Sequence, residues 1–229
     1  MRSAAPPSTR PAELRPAVAE FLGALLLTAA VIGSGIMGER LAGGNLAIAL
    51  LANTGATVAA LAALIATLGP ISGAHFNPVV TLVAAWRREL PASRTLAYLC
   101  AQLAGCCAGA LLANAMFDLP LLQASTHIRT GGAQWLSEAV ATAGLIFIAF
   151  SAPSLSAASW RVPAWIGAAY WFTASTSFAN PAITIGRTLT DSFSGIRPAD
   201  APGFIAAQLA GGLSGAALVY FLGPRKAAS

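Results

Sequence analysis

Asn77-Pro78-Val79-Val80-Thr81 returns later in the chain as Asn180-Pro181-Ala182-Ile183-Thr184, and each copy opens an apolar run too short to cross a bilayer. Asn is a strong helix N-cap because its side-chain oxygen accepts from first-turn N–H groups. Pro at the first helical position orphans no N–H and brings a preset φ. Asn-Pro is therefore a helix start, expected here to open short helices at 77–86 and 180–191. A polar, non-helical approach leads into each: Gly69-Pro70-Ile71-Ser72-Gly73-Ala74-His75 before the first and Ser175-Thr176-Ser177 before the second.

The surrounding composition names the medium. Hydrophobic residues make up 56% of the 229 and charged residues 9%, against about 25% charged in a soluble domain. So little charge cannot cover a soluble fold of this length, which excludes a cytosolic enzyme. The apolar content excludes disorder, and three cysteines exclude a disulfide-stapled secreted module. The net charge of +5 does not point to nucleic acid, because the basic residues are dispersed at segment ends. What remains is an all-α polytopic membrane protein. A crossing needs roughly 20 mostly apolar residues, and six stretches qualify: 17–37, 45–68, 94–115, 134–150, 161–177 and 203–222. The first is longer than a signal-peptide core and reads as a retained span.

These stretches divide the chain into a cytoplasmic N-terminal tail (1–16), a first repeat (17–115), an extracellular connection (116–133), a second repeat (134–223) and a C-terminal tail (224–229). With both termini cytoplasmic, the inner face collects Arg2, Arg10, Arg15, Arg87, Arg88, Arg94, Arg161, Arg225 and Lys226. The outer face collects only Arg40, Arg129 and Arg197. That asymmetry satisfies the positive-inside bias, and the expected location is the cell inner membrane.

The repeat extends beyond the Asn-Pro pieces. Gln102-Leu103-Ala104-Gly105, followed by Gly109, matches Gln208-Leu209-Ala210-Gly211, followed by Gly215. Glu20 and Glu138 each stand early in the first span of their half. Each half thus reads span, span, Asn-Pro piece, span, and an odd number of spans turns the second half upside down. Inverted repeats put function at their interface near the midplane, marked by interrupted apolar segments. Gly105/Gly109 and Gly211/Gly215 have the G-x-x-x-G spacing that lets helix backbones approach closely.

Two half-helices entering from opposite faces meet start to start, each start carrying about half a positive charge from its dipole. The capping Asn amides keep N–H donors for the lumen. Such a lumen hydrogen-bonds a neutral solute, repels cations and interrupts a proton wire. Glu20 and Glu138 are expected to accept hydrogen bonds from the non-helical approaches. The alternative is a proton-coupled secondary transporter that uses these two acids, since intramembrane acids also serve proton relays. No His-Glu-x-x-His, Gly-x-Ser-x-Gly or catalytic carboxylate pair is present, so no enzyme is expected. Cys100, Cys106 and Cys107 lie in one apolar stretch and read as packing residues. A thiol site for a soft metalloid is the alternative, with no supporting His or second Cys cluster, and no metal or cofactor is expected.

The segment from Ser72 through Gly73, Ala74, His75, Phe76, Asn77, Pro78, Val79 and Val80 to Thr81, together with Asn180-Pro181-Ala182, Glu20, Glu138, Gln102 and Gln208, resembles the aquaporin and aquaglyceroporin family of channels. The likeness runs over almost the whole chain, from 17 to 222. It implies six transmembrane helices plus two half-helices, a pore in every subunit constricted and capped at Asn77, Pro78, Val79, Asn180, Pro181 and Ala182, and a homotetramer in membrane lipid. It also implies passive flow of water or small neutral solutes. Two positions depart from the family. Val79 replaces the usual Ala, with a small expected effect, and Ile183 stands where the family usually has Arg.

Counting from the two boxes as the family's filter does gives Thr57, Ala168, Ser177 and Ile183, a filter with no aromatic and no charge. The expectation is a broad pore for water, glycerol and bulkier neutral solutes. An aliphatic residue in place of the filter arginine is similar to bacterial channels linked to arsenic resistance, which implies neutral arsenite or methylated arsenicals as permeants. Arg187 follows Ile183 by one turn, ~6 Å along the axis. It is expected either to line the outer vestibule or to pair with Asp191. His75, two before Asn77, reads as a lumen contributor, a pH gate or a packed approach residue; His127 carries no signal.

Overall fold

The computed structural model describes residues 10–223, with side chains from Leu14 onward. The tail segments 1–9 and 224–229 lie outside the described residues. Eight α-helices follow one another: α1 (Arg10–Leu41), α2 (Leu46–Ser72), α3 (Pro78–Trp86), α4 (Ala92–Met116), α5 (Gly132–Ser151), α6 (Leu155–Phe172), α7 (Pro181–Arg187) and α8 (Ala201–Leu222). A single 3-10 turn, Pro198–Asp200, precedes α8, and no strand occurs among the described residues. α1 begins within the stretch expected as a tail, because Pro11 falls in its first turn, where a missing N–H leaves nothing unpaired.

The chain is an all-α membrane protein with two inverted halves. Five helices, α1, α2, α4, α5 and α8, are long and apolar enough to cross a bilayer by length and composition. α6 takes the sixth crossing by its place in the repeat. Its 18 residues rise roughly 27 Å at 1.5 Å per residue, but Trp160, Arg161, Pro163 and Tyr170 dilute its aliphatic content. It also lies earlier than the expected 161–177. Ser154 caps it by accepting from Ala157 N at 3.1 Å, and Thr173 leaves the helix in extended conformation.

Each half is built on one helix pair, α1 with α4 and α5 with α8. A Cβ on Gly105 or Gly109 would strike the carbonyl oxygen of Phe21 or Leu25. On Gly211 or Gly215 it would strike that of Ala139 or Ala143. Phe21 and Leu25 stand one and five residues after Glu20, and Ala139 and Ala143 stand one and five after Glu138. The two close approaches are therefore the same contact made twice. On the outside, Leu14, Val18, Leu22 and Leu26 form an exposed ladder along α1, and Leu209 and Leu213 do so on α8. Such ridges are a liability in water and the natural contact with hydrocarbon.

α3 and α7 have 9 and 7 residues, so end to end they rise roughly 24 Å and together stand in for one crossing. α7 stops at Arg187, short of the expected 191. Thr188 Oγ1 donates to Ile185 O at 2.7 Å, and Ile196 N donates to Arg187 O at 3.2 Å, turning the chain back. Asp191 is drawn away to accept from Thr126 N at 2.8 Å and Thr126 Oγ1 at 3.0 Å.

Candidate functional site

The two approaches adopt the same rare backbone. Gly73, Ala74 and Phe76 have φ of 89°, 52° and 48°, and their repeat mates Thr176, Ser177 and Ala179 have 60°, 52° and 48°. Left-handed φ costs an L-residue roughly 1–2 kcal/mol, so something must hold each approach in place. The two buried glutamates do. Glu20 Oε1 accepts from Ser72 Oγ at 2.6 Å and His75 N at 3.0 Å, while Oε2 accepts from Phe76 N and Gln102 Nε2, both at 2.7 Å. Glu138 Oε1 accepts from Ser175 Oγ at 2.5 Å and Phe178 N at 2.9 Å, while Oε2 accepts from Ala179 N at 2.8 Å and Gln208 Nε2 at 2.6 Å. Gln102 and Gln208 then donate onward to Thr81 Oγ1 and Thr184 Oγ1, at 2.8 and 2.9 Å, on the half-helices themselves.

So held, the starts of α3 and α7 interlock. Asn77 Oδ1 caps α3 by accepting from Val79 N at 2.9 Å, and its Nδ2 donates to Ala179 O at 2.7 Å. Asn180 Oδ1 caps α7 by accepting from Ala182 N at 3.0 Å and Ile183 N at 3.2 Å, and its Nδ2 donates to Phe76 O at 2.8 Å. Each asparagine thus caps its own helix and ties the other approach, with a second amide hydrogen left over. Asn180→Ala is expected to lower stability by roughly 1–3 kcal/mol, a lost cap plus a lost buried hydrogen bond. Asn77→Ala should match it, and thermal unfolding in detergent measures both.

Beside this junction runs a cavity of about 180 Å³. Along α6 it is lined by Ala158, Val162, Ile166 and Tyr170, and along α2 by Thr57, Leu61 and Ile65, both sets at four-residue spacing. Leu155 and His75 mark the end on the side of the chain termini, and Tyr170 and Arg187 mark the opposite end. Asn77 and Asn180 lie between, 5% and 4% exposed. Pro78, Pro181, Val79 and Ala182, named with them from sequence, stand behind this lining. A Cβ on Gly212 of α8 would meet Val79 Cγ1, so the Val that departs from the family faces α8, not the lumen. The lumen positions are Val80 and Ile183, each three residues after its asparagine.

Of the four residues counted out as a filter, Thr57, Ser177 and Ile183 line the outer end of the cavity. Ala168 does not; it is exposed on the far side of α6. Tyr170 takes the lumen side instead, its hydroxyl 3.3 Å from Thr57 Oγ1. Two residues turn a helix about 200°, so a count carried back across the irregular 173–179 segment landed on the wrong face. The signal that finds Tyr170 is its place in the ladder through Ala158, Val162 and Ile166. The outer end therefore has an aromatic residue, contrary to expectation.

It also has a charge. Arg187 lines the cavity at 2% exposure, with its guanidinium carbon 3.3 Å from the centre of the Phe178 ring and Nε donating to Ser194 O. The pair with Asp191 does not form, since Asp191 serves Thr126. In the connection outside the membrane, the Thr126 N–H holds the Asp191 carboxyl below the usual carboxylate range.

At the other end, His75 Nδ1 lies 3.1 Å from Thr81 Oγ1 and its ring meets Tyr98 edge-on. Cys106 is buried, Cys107 half-buried and Cys100 exposed, and all three are free thiols. His127 contributes its carbonyl, which accepts from Arg197 N at 2.7 Å.

The chain is similar to known proteins. The family described as Major intrinsic protein matches residues 8–172. Aquaglyceroporin AqpS of Rhizobium meliloti (strain 1021) is 52% identical over 178 residues, covering 77% of this chain and 76% of that protein. Aquaporin-2 of Procavia capensis habessinica is 49% identical over 53 residues, 23% of this chain and 49% of that sequence. The X-ray structure of the aquaglyceroporin from Plasmodium falciparum shares the fold, with a TM-score of 0.70 over 91% of this chain and 96% of that one at 18% identity.

Proposed function

We propose that this chain, which belongs to the major intrinsic protein family and so is a membrane channel and not an enzyme, passes neutral solutes bulkier than water. Glycerol, arsenite as its uncharged hydroxide and methylated arsenicals are the permeants we assign beside water. One observation carries this reading: directly after Asn-Pro-Ala the lumen meets the aliphatic Ile183, while the nearest guanidinium, Arg187, stands a turn further on against Phe178. Thr57, Tyr170 and Ser177 offer hydroxyls at that end and Ile183 an apolar flank, which suits a solute with hydroxyls on one side and a polarisable centre on the other. We further place the termini in the cytoplasm of a cell whose inner membrane holds the channel as a homotetramer, on the arginine asymmetry and the family respectively.

The transporter alternative meets an obstacle in the glutamates. Each carboxylate accepts four hydrogen bonds that hold an approach in its left-handed conformation. Both acids are thus committed to holding backbone in place.

Stopped-flow swelling of proteoliposomes tests the reading. Water, glycerol and arsenite should each follow their own gradient with weak temperature dependence and no response to an imposed pH gradient. Ile183→Arg should lower glycerol and arsenite flux at least about tenfold, an added barrier of ~1.4 kcal/mol, and lower water flux less. Flux that requires a pH gradient, or an Ile183→Arg channel unchanged for all three solutes, overturns it.

A further inference from the structure

The outer end of the bore holds a cation with no acid beside it. Among the described residues, Arg187 donates from Nε to the Ser194 carbonyl and has no carboxylate partner. The acids of this region are already engaged. Asp191 accepts from Thr126, Asp200 from Arg197 and from Arg129 N, and Glu138 carries its four donors. A second guanidinium, that of Arg129, lies 5.3 Å from the same Phe178 ring and donates to the carbonyls of Gly195 and Phe193, again without an acid. The Ser177 hydroxyl, 2% exposed as a residue, is buried without a hydrogen-bond partner at this end of the cavity. No Asp or Glu lines the cavity among the described residues, and both half-helix starts turn their positive ends toward its middle. A buried charge without a partner is costly, and the partner this arrangement lacks is an anion.

We propose that Arg187, Ser177 and the Tyr170–Thr57 hydroxyl pair form a binding site for a small planar monovalent oxyanion, a carboxylate or nitrate, and that the bound ion stops the flow of neutral solutes. The proposal rests on the reading of the cavity as a passive bore. Two parallel guanidinium N–H groups match the two oxygens of such an ion, and the hydroxyls supply further donors. The ion goes no further, because Leu61, Ile65, Val162 and Ile166 line the inner half and replace none of its hydration. The site is therefore a plug and not a path.

The test uses the full chain and formate as the probe. Glycerol efflux from proteoliposomes is measured with sodium formate on both sides, against sodium chloride and sodium gluconate at equal osmolarity. Formate is expected to cut the flux at least twofold at saturation, with chloride and gluconate without effect. Saturable binding of radiolabelled formate to the detergent-solubilised protein, by equilibrium dialysis, reads the site independently of any flux. Arg187→Lys should weaken formate binding at least about tenfold, since it keeps the charge and loses the fork. Arg187→Gln should abolish it. Tyr170→Phe, which leaves the arginine in place, should weaken it severalfold. Absent formate binding, binding undiminished in both Arg187 variants, or equal inhibition by chloride overturns the site. Formate binding without any glycerol flux instead overturns the channel reading beneath it.

Discussion

Glu138→Ala is expected to yield little or no folded protein, while Glu138→Gln folds and conducts. The alanine variant leaves Ser175 Oγ, Phe178 N, Ala179 N and Gln208 Nε2 without an acceptor in a place with no solvent exposure. A buried unsatisfied donor costs ~1–3 kcal/mol, so four come to at least ~4 kcal/mol, a large share of a typical fold's stability. The loss falls on the approach that already carries the left-handed Thr176, Ser177 and Ala179, which would then relax and release the start of α7. Glutamine keeps one acceptor oxygen for Ser175 and Phe178. Its new amide faces Gln208, whose own Oε1 has no partner and can accept once that side chain turns over, giving up the Nε2 bond to Thr184 Oγ1. Ala179 N is also left without an acceptor, so the glutamine variant is less stable than the native chain but keeps two of the four bonds that alanine removes. Monodisperse yield and melting temperature in detergent measure the first effect. Glycerol flux with and without a pH gradient measures the second, and it separates two roles. A scaffold glutamate gives a Gln variant that conducts; a proton-coupling glutamate gives one that folds and does not transport. Glu20→Ala and Glu20→Gln should repeat the pattern at the first approach.

The helix starts at Asn77 and Asn180 could be read from sequence because capping is local chemistry, and the repeat supplied a second witness for each residue. The glutamates and glutamines were legible for the same reason. The phase of α6 was not. Ala168 and Tyr170 differ by two residues and by half a turn, and between them and Asn180 lies a stretch whose backbone has no period to count along. The end of α7 was equally hidden, because it depends on Ile196 N and Thr126, which reach it from other parts of the chain. The orientation of Val79 could have been inferred from the repeat: Val80 and Ile183 are equivalent, so both face the lumen and the residue before each faces away. Of the six crossings expected from the sequence, five are long and apolar enough by length and composition; the sixth, α6, carries Trp160, Arg161, Pro163 and Tyr170 among its apolar residues.

Gly215→Ala should disrupt the fold even though it adds one methyl group. Its Cβ would fall on the Ala143 carbonyl oxygen and lie 2.8 Å from Ile146 Cβ, so backbone, not a flexible side-chain tip, stands in the way. α8 can accommodate the methyl only by moving off α5. That movement carries Gln208, two turns earlier on the same helix, away from both Glu138 and Thr184. The cost therefore exceeds the ~1–3 kcal/mol of ordinary overpacking, because the network that holds the second approach loosens with it. Gly109→Ala should do the same through Leu25 O and Gln102. Two neighbours calibrate the effect. At Gly212 the added methyl meets a side-chain atom, Val79 Cγ1, and not backbone, so alanine there should cost less. At Gly55 nothing lies within 4 Å, and alanine should raise stability by roughly 0.5–1 kcal/mol through helix propensity alone. Melting temperatures of the four variants in detergent should rank Gly55→Ala first, then Gly212→Ala, with Gly109→Ala and Gly215→Ala far below. Glycerol flux should be lost in the last two only. A Gly215→Ala protein as stable as Gly55→Ala would mean that α5 and α8 do not touch backbone to backbone.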